Sequence, residues 1–236
     1  MISVCIATYN GEKYIKEQLE SILYQLSEDD EVIISDDGSK DRTINVIEEL
    51  HDKRVKIYHN SGLHGFTCNF SNALRYASGD YIFLSDQDDI WKENKVHVIL
   101  KQLKQYDLVC HNADLVDGEG DLLGMTYFES THNHKSFFSN LWKTRWLGCC
   151  MAFRRNVLEY CMPIPNSVVG HDYWIGMLSM LKFKYVFLDV SLLFYRRHGG
   201  NASSSSGKSH ESWYYKVFKK RLRLLILLSK KIIFDT

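Results

Sequence analysis

The sequence is poor in the features that divide or staple a chain. Among 236 residues there are only two prolines, Pro163 and Pro165, so no proline-rich linker separates domains. The six cysteines show no C-x-x-C spacing and no zinc-finger pattern. That excludes a sequence-evident metal finger or disulfide framework and suits a reduced, cytosolic protein. No apolar run is long enough to span a bilayer; the longest in the tail is Leu224–Leu228. No charged segment precedes the apolar run Ile2–Ala7, which reads as a strand and not as a secretion signal. Net charge is zero overall but unevenly spread. Residues 208–236 carry a net +6 and the rest a net −6. An acidic body with an apolar basic tail argues against nucleic-acid recognition and toward an anionic surface as partner of the tail.

What is present is ordinary globular composition, 45% hydrophobic and 25% charged, which excludes a mainly disordered chain. Strand-like and helix-like segments alternate through the first half. Ile2–Ala7, Glu31–Ser35, Val55–Tyr58, Tyr81–Ser85 and Leu108–His111 read as strands. Tyr14–Leu26, Arg42–Leu50, Phe66–Ala77 and Glu93–Gln105 read as helices; in the first, Ile15, Leu19, Ile22, Leu23 and Leu26 share one face. This alternation predicts an α/β fold with a mostly parallel central sheet and right-handed crossovers. Past residue 115 the pattern weakens. Leu122–Met125, Cys149–Arg154, Tyr185–Leu188 and Ser191–Arg197 are strand candidates, and His171–Leu181 a helix candidate. Ser203–Ser206 reads as a joint before a basic amphipathic helical tail, Trp213–Phe234.

Open parallel sheets bind ligands beyond the carboxyl ends of their strands. Three such ends are polar here: Thr8-Tyr9-Asn10-Gly11-Glu12, Asp36-Asp37-Gly38-Ser39-Lys40-Asp41 and Asp86-Gln87-Asp88-Asp89. Each alone is common turn or cap chemistry. Together at one sheet edge they indicate a site. Asp86, Asp88 and Asp89 repel one another, about 4 kcal/mol for a like pair at 4 Å and an effective dielectric of roughly 20. Exposure to solvent would relieve this, and so would a hard divalent cation.

These segments resemble the family 2 glycosyltransferases of GT-A fold, in their rhamnosyltransferase-like branch. The resemblance runs through Ala7-Thr-Tyr-Asn-Gly11, Asp36-Asp-Gly-Ser-Lys-Asp-Arg-Thr43 and Ala77-Ser-Gly-Asp-Tyr-Ile-Phe-Leu-Ser-Asp-Gln-Asp-Asp-Ile-Trp91. It resumes at Leu147-Gly-Cys-Cys-Met-Ala-Phe153, His171-Asp-Tyr-Trp174 and Tyr195-Arg-Arg-His-Gly-Gly-Asn201. It implies a GT-A domain over residues 1–207, with a nucleotide-sugar half at 1–112 and an acceptor half at 113–207, followed by the tail at 208–236.

The resemblance also implies roles. Thr8, Tyr9 and Asp37 fall where the nucleotide base is held. Asp86 and Asp88 form the Asp-x-Asp motif that serves the ribose and an Mn²⁺ or Mg²⁺ ion. Asp89 either shares the ion or caps the next helix, and His198 is a further candidate ligand. Arg196 or Arg197 is a candidate for the phosphates, alternation allowing only one of them on that side. Asp172 matches the general base, its alternative being a helix cap; His171 stands where glutamate is commoner. Gly148 and Cys149 fall on the acceptor side. The implied reaction is inverting transfer from a UDP- or dTDP-sugar to a hydroxyl of a glycan or lipid-linked glycan. A non-catalytic nucleotide-sugar-binding module is the alternative, and a sugar-phosphate nucleotidyltransferase is disfavoured because no Gly-rich basic loop follows the first strand. The tail is expected on an anionic membrane at the cytoplasmic face, the other reading being packing on the domain or on a second subunit as a homodimer. The Asn201-Ala-Ser203 sequon has no role in a cytosolic protein.

Overall fold

The computed structural model describes residues 1–131, 136–198 and 213–234, with backbone alone at 213–217 and 234. The serine joint, the sequon and the Gly-Gly-Asn end of the last motif lie outside the described residues. The first half is built as the alternation predicts: β1 (Ile2–Thr8), α1 (Ile15–Leu23), β2 (Glu31–Asp36), α2 (Thr43–Glu48), β3 (Val55–His59), α3 (Phe66–Tyr76) and β4 (Tyr81–Ser85). β1 and β2 are buried almost throughout, which is why they read as apolar runs without alternation. α1 buries Ile15, Leu19 and Ile22 along one stripe, with Gln18 among them.

Next come β5 (Ile90–Trp91), α4 (Lys95–Gln102), β6 (Leu108–Val116), β7 (Leu122–Thr126), α5 (Tyr127–Thr131) and α6 (Phe137–Trp142). A short 3₁₀ turn at Gly148–Cys150 leads into β8 (Met151–Arg154), α7 (Arg155–Cys161), α8 (His171–Lys182), β9 (Tyr185–Arg196) and α9 (Trp213–Phe234). The strand expected from Cys149 therefore begins two residues later. The two strands expected at 185–197 are one. β9 stays paired to β6 through register shifts around Asn112, whose side-chain amide donates to Asp189 Oδ1 at 2.9 Å. The polar break at Asp189 is thus a bulge and not a turn.

Among the described residues the strands form one mixed, mostly parallel sheet in the order β3-β2-β1-β4-β8-β6-β9-β5, with β7 beside β6. β3, β2, β1 and β4 are mutually parallel, as are β6 and β9. β8 runs antiparallel between β4 and β6 and joins the two parts. The register sets Thr8 against Asp36, and Ile6 against Ser85, so the three polar strand ends emerge at one edge. α9 inserts Leu224 and Leu228, each nearly fully buried, into the same hydrophobic core.

Candidate active site

The three loops at that edge are tied to one another by hydrogen bonds. Asp37 N–H donates to Thr8 O at 3.0 Å. The Gln87 side chain brackets Tyr9, accepting from its N–H at 2.9 Å and donating to its carbonyl at 3.1 Å. A Cβ on Gly11 would lie 2.4 Å from Gln87 Oε1, which explains the glycine after Asn10. Tyr9 is left exposed above the edge. Thr8 is buried, and its hydroxyl is spent on Asp36 Oδ1 at 3.2 Å and Ser35 O at 3.4 Å. It shapes the floor and presents no exposed side chain. Asp37 is held from three sides, by Asn60 Nδ2 (2.8 Å), His64 Nδ1 (2.9 Å) and Gly65 N–H (2.7 Å). A carboxylate has about four acceptor positions, so one remains toward a ligand. Asn60 and His64 are missing from the sequence reading; nothing but a contact across β2 and β3 marks them.

Asp86 is part-buried, Asp88 nearly buried and Asp89 buried, so solvent does not relieve the cluster. Burial, then the charges of Asp88 and Asp172, pushes the Asp86 carboxyl up to about 7. Burial likewise holds Asp89 well above the carboxylate range. Asp89 spends Oδ1 on the Arg196 N–H at 3.0 Å, while its buried Oδ2 has no hydrogen-bond partner among the described residues. Of the two roles expected for Asp89, the helix cap is not its contact, since Asn94 occupies the N-cap of α4. Asp88 Oδ2 lies 2.8 Å from His198 Nε2, and Tyr14 packs against the imidazole.

Two basic residues stabilise the acidic loop. Lys95, at the start of α4, is almost wholly buried, donates to Cys149 O at 2.9 Å and sits 4.2 Å over the Trp91 ring. Burial lowers its ammonium to about 8. Its helical position among Val96 and Ile99 hides it from a periodicity reading. Arg196 is buried and divides its guanidinium between Asp88 O (2.9 Å), Gly118 O (3.1 Å) and Glu17 Oε2 (2.8 Å). It fixes the loop, while Arg197 is exposed.

Asp172 arrives from the other half of the sequence. It lies in the first turn of α8, whose N-cap is Gly170, so it is not itself the cap. Its Oδ1 accepts from Tyr173 N–H at 2.7 Å. Burial raises its carboxyl to about 6 despite hydrogen bonds from backbone N–H groups of Tyr173, its own residue and Gly148. Gly148 is required by contact: a Cβ there would stand 2.9 Å from His171 Nε2. His171 stacks on Phe70 with centroids 3.8 Å apart, and both its ring nitrogens are buried and unpartnered among the described residues. Burial holds it neutral, at about 3. Cys149 is fully buried, with its sulfur among donor atoms of Asp86 and Asp89 that all lie within 4.8 Å. Burial drives its thiol far above the usual range, in keeping with its exclusion as a nucleophile.

Among the described residues, the donor atoms that converge are a carboxylate oxygen from each of Asp86 and Asp89 and the Cys149 sulfur, with Asp88, paired to His198, on the same loop as the two aspartates; the carboxylate oxygens suit a hard divalent cation such as Mn²⁺. The partnerless Asp89 Oδ2 and the crowded carboxyls are what a cation would compensate.

Comparison with known proteins identifies the family. The glucosyltransferase WfgD of Escherichia coli, named as UDP-Glc:alpha-D-GlcNAc-diphosphoundecaprenol beta-1,3-glucosyltransferase, is 33% identical over 187 residues, covering 77% of this chain and 70% of WfgD. The dTDP-rhamnosyl transferase RfbG of Shigella flexneri is 26% identical over 244 residues, 91% of this chain and 82% of RfbG. The structure of S. aureus TarS 1–349 in complex with UDP-GlcNAc superposes with a TM-score of 0.73 at 20% identity, over 98% of this chain and 66% of that one. The chain spans less than half the length of several other glycosyltransferases that it matches. Residues 3–161, from β1 through α7, match the family described as Glycosyl transferase family 2; with more than half of its length in that match and a GT-A fold beneath it, this chain is a member of that family of glycosyltransferases.

Proposed function

We propose that the chain is a metal-dependent, inverting glycosyltransferase that moves a sugar from a UDP- or dTDP-sugar to a hydroxyl of a glycan or lipid-linked glycan. One observation carries the reading: Asp172, 86 residues from Asp86 in the sequence, lies against Gly148, where a Cβ would stand 3.6 Å from the Asp172 Cβ, while the next residue, Cys149, has its sulfur within 4.8 Å of the Asp86 and Asp89 carboxylate oxygens, and the Asp172 charge helps raise the Asp86 carboxyl. Residues 1–112 would hold the donor, with Tyr9 beside the base, the remaining acceptor position of Asp37 on a ring N–H of uracil or thymine, and Asp86 at the ribose. The donors of WfgD and RfbG, by their names, support these two bases. Residues 113–207 would hold the acceptor, with Gly148 and Cys149 in the wall behind it.

Asp88 and His198 would hold the ion, with Asp86 and Asp89 next to it. When bound, it offsets the negative charge that grows on the departing nucleoside diphosphate. Asp172 accepts the proton of the acceptor hydroxyl. The oxygen forms its bond to the anomeric carbon as the bond from that carbon to the diphosphate oxygen breaks on the opposite face, so configuration inverts. A carboxylate raised to about 6 is mostly ionised at neutral pH yet more basic than an exposed one, which suits it as a base. Arg196 and Lys95 keep the acidic loop in place and take no part in proton transfer. We also place the enzyme on the cytoplasmic face of a membrane, through its basic tail.

The test is thermal unfolding with UDP, dTDP and their sugars, with and without Mn²⁺. A ligand of the folded state raises the transition in proportion to its affinity, and the expected result is a uridine or thymidine diphosphate shift enlarged by Mn²⁺. Indifference to all of these compounds would sink the donor-site reading. Donor binding without transfer of a labelled sugar to any glycan would leave a binding module instead.

A further inference from the structure

Two helices beside Asp172 turn large apolar side chains to solvent. α6 exposes Phe138 (79%) and Trp142 (55%), and α9 exposes Phe218, Leu222, Ile226 and Ile233. The α9 residues follow from helix geometry. Leu224 and Leu228 point into the core, and the stripe Phe218-Leu222-Ile226, repeating every four residues, points away from it. The helices are joined, since Arg221 donates through Nε to Trp142 O at 3.0 Å. Single exposed apolar residues need no explanation, but a contiguous set does.

Within α6, α9 and the residue that follows α6, every charged side chain is basic. Lys219, Arg223 and Lys230 are exposed on α9 beside its stripe, and exposed Lys143 follows Trp142. Residues 213–234 contain seven Lys or Arg and no Asp or Glu. Two copies meeting through this face about a twofold axis would oppose like charges. An anionic bilayer would take both parts, apolar side chains at the acyl boundary and cations at the phosphates. Among the described residues no helix is long and apolar enough to cross a membrane, so the mode is interfacial.

We propose that α6 and α9 form a single docking face for an anionic lipid bilayer, with Phe138 and Trp142 as anchors alongside the α9 stripe. The face is coupled to the base. Tyr173, next to Asp172, donates its hydroxyl to Leu141 O in α6 at 2.7 Å. Docking therefore orients Asp172 toward acceptors carried in the membrane, a consequence that rests on the reading of Asp172 above.

The full chain is to be sedimented with phosphatidylcholine vesicles and with vesicles containing phosphatidylglycerol, without nucleotide, at low and high salt. Salt-sensitive binding to the anionic vesicles is expected. Phe138→Ser with Trp142→Ser, Phe218→Ser with Leu222→Ser, and Lys219→Glu with Arg223→Glu should each weaken it about tenfold or more, with thermal unfolding checked for each. Wild-type chain that ignores anionic vesicles overturns the proposal. So does an α6 double variant that is folded and binds like wild type, because then α9 acts without α6. A concentration-dependent dimer, dissociated by the α9 variants and indifferent to lipid, assigns the face to a second copy and also overturns it. Asp172→Asn should bind vesicles normally, and the α6 variant should keep transfer to a water-soluble acceptor, so failure here is separable from failure of the catalytic reading.

Discussion

At the scale of single residues, the site is a set of carboxylates whose surroundings have driven them apart in role. Asp37 is held by three donors and keeps one acceptor position open. Asp86 and Asp172 are desolvated by burial, which moves both toward neutrality against the hydrogen bonds they accept. Replacement of Asp172 by Asn removes the proton acceptor and keeps its size; kcat should fall by roughly 10²–10⁴-fold while the dissociation constant for nucleoside diphosphate stays unchanged in a titration. Because only the ionised form accepts a proton, the wild-type rate should climb with pH through about 6 and level above it. A pH–rate profile flat from 5 to 7 (~1 unit either side of the shifted value) would contradict the assignment. The aspartates were legible in the sequence because loop carboxylates in a run stand out. His171 gave no such signal. Its neutrality comes from Phe70 and Gly148, neighbours that only the fold supplies.

At the scale of elements, the loops work because the helices behind them are seated tightly. α8 lays Gly176 flat against Trp146, where a Cβ would come within 2.3 Å of the indole ring. Gly176→Ala must shift either the ring or the helix that carries Asp172. It should lower stability by about 1–3 kcal/mol or more, measured by denaturant unfolding. α4 delivers Lys95 beneath the acidic loop. Lys95→Met leaves the buried Cys149 carbonyl without its donor; a loss of about 1–3 kcal/mol is expected, and a variant as stable as wild type would refute the role. The long elements α1, α3 and β1 to β4 were visible as periodicity. β5, α5, α6 and α7 were not, being two to seven residues long, too short for a period to repeat. β9 was read as two strands because pairing to β6, not local propensity, carries it through Asp189.

At the scale of the whole molecule, the tail is part of the fold as well as a surface. Leu224 and Leu228 lie in the core, and Lys231 Nζ donates to Met162 O at 3.1 Å. Leu224→Ala or Leu228→Ala should each cost about 2–5 kcal/mol in the absence of any lipid. Unchanged unfolding would mean that α9 is not docked in solution. The exposed stripe and the buried pair share one helix, so membrane contact and core packing are compatible and need not compete.

The amino-acid sequence by itself determined the α/β class and pointed to the polar strand ends and to Asp172 as candidate site residues, because these depend on local periodicity and on short motifs. Tertiary structure decided which of those residues meet. It brought Asp172 near enough for its charge to act on Asp86, placed Lys95 and Arg196 under the acidic loop, and joined α6 to α9, since burial and charge act through space between residues that the chain keeps far apart.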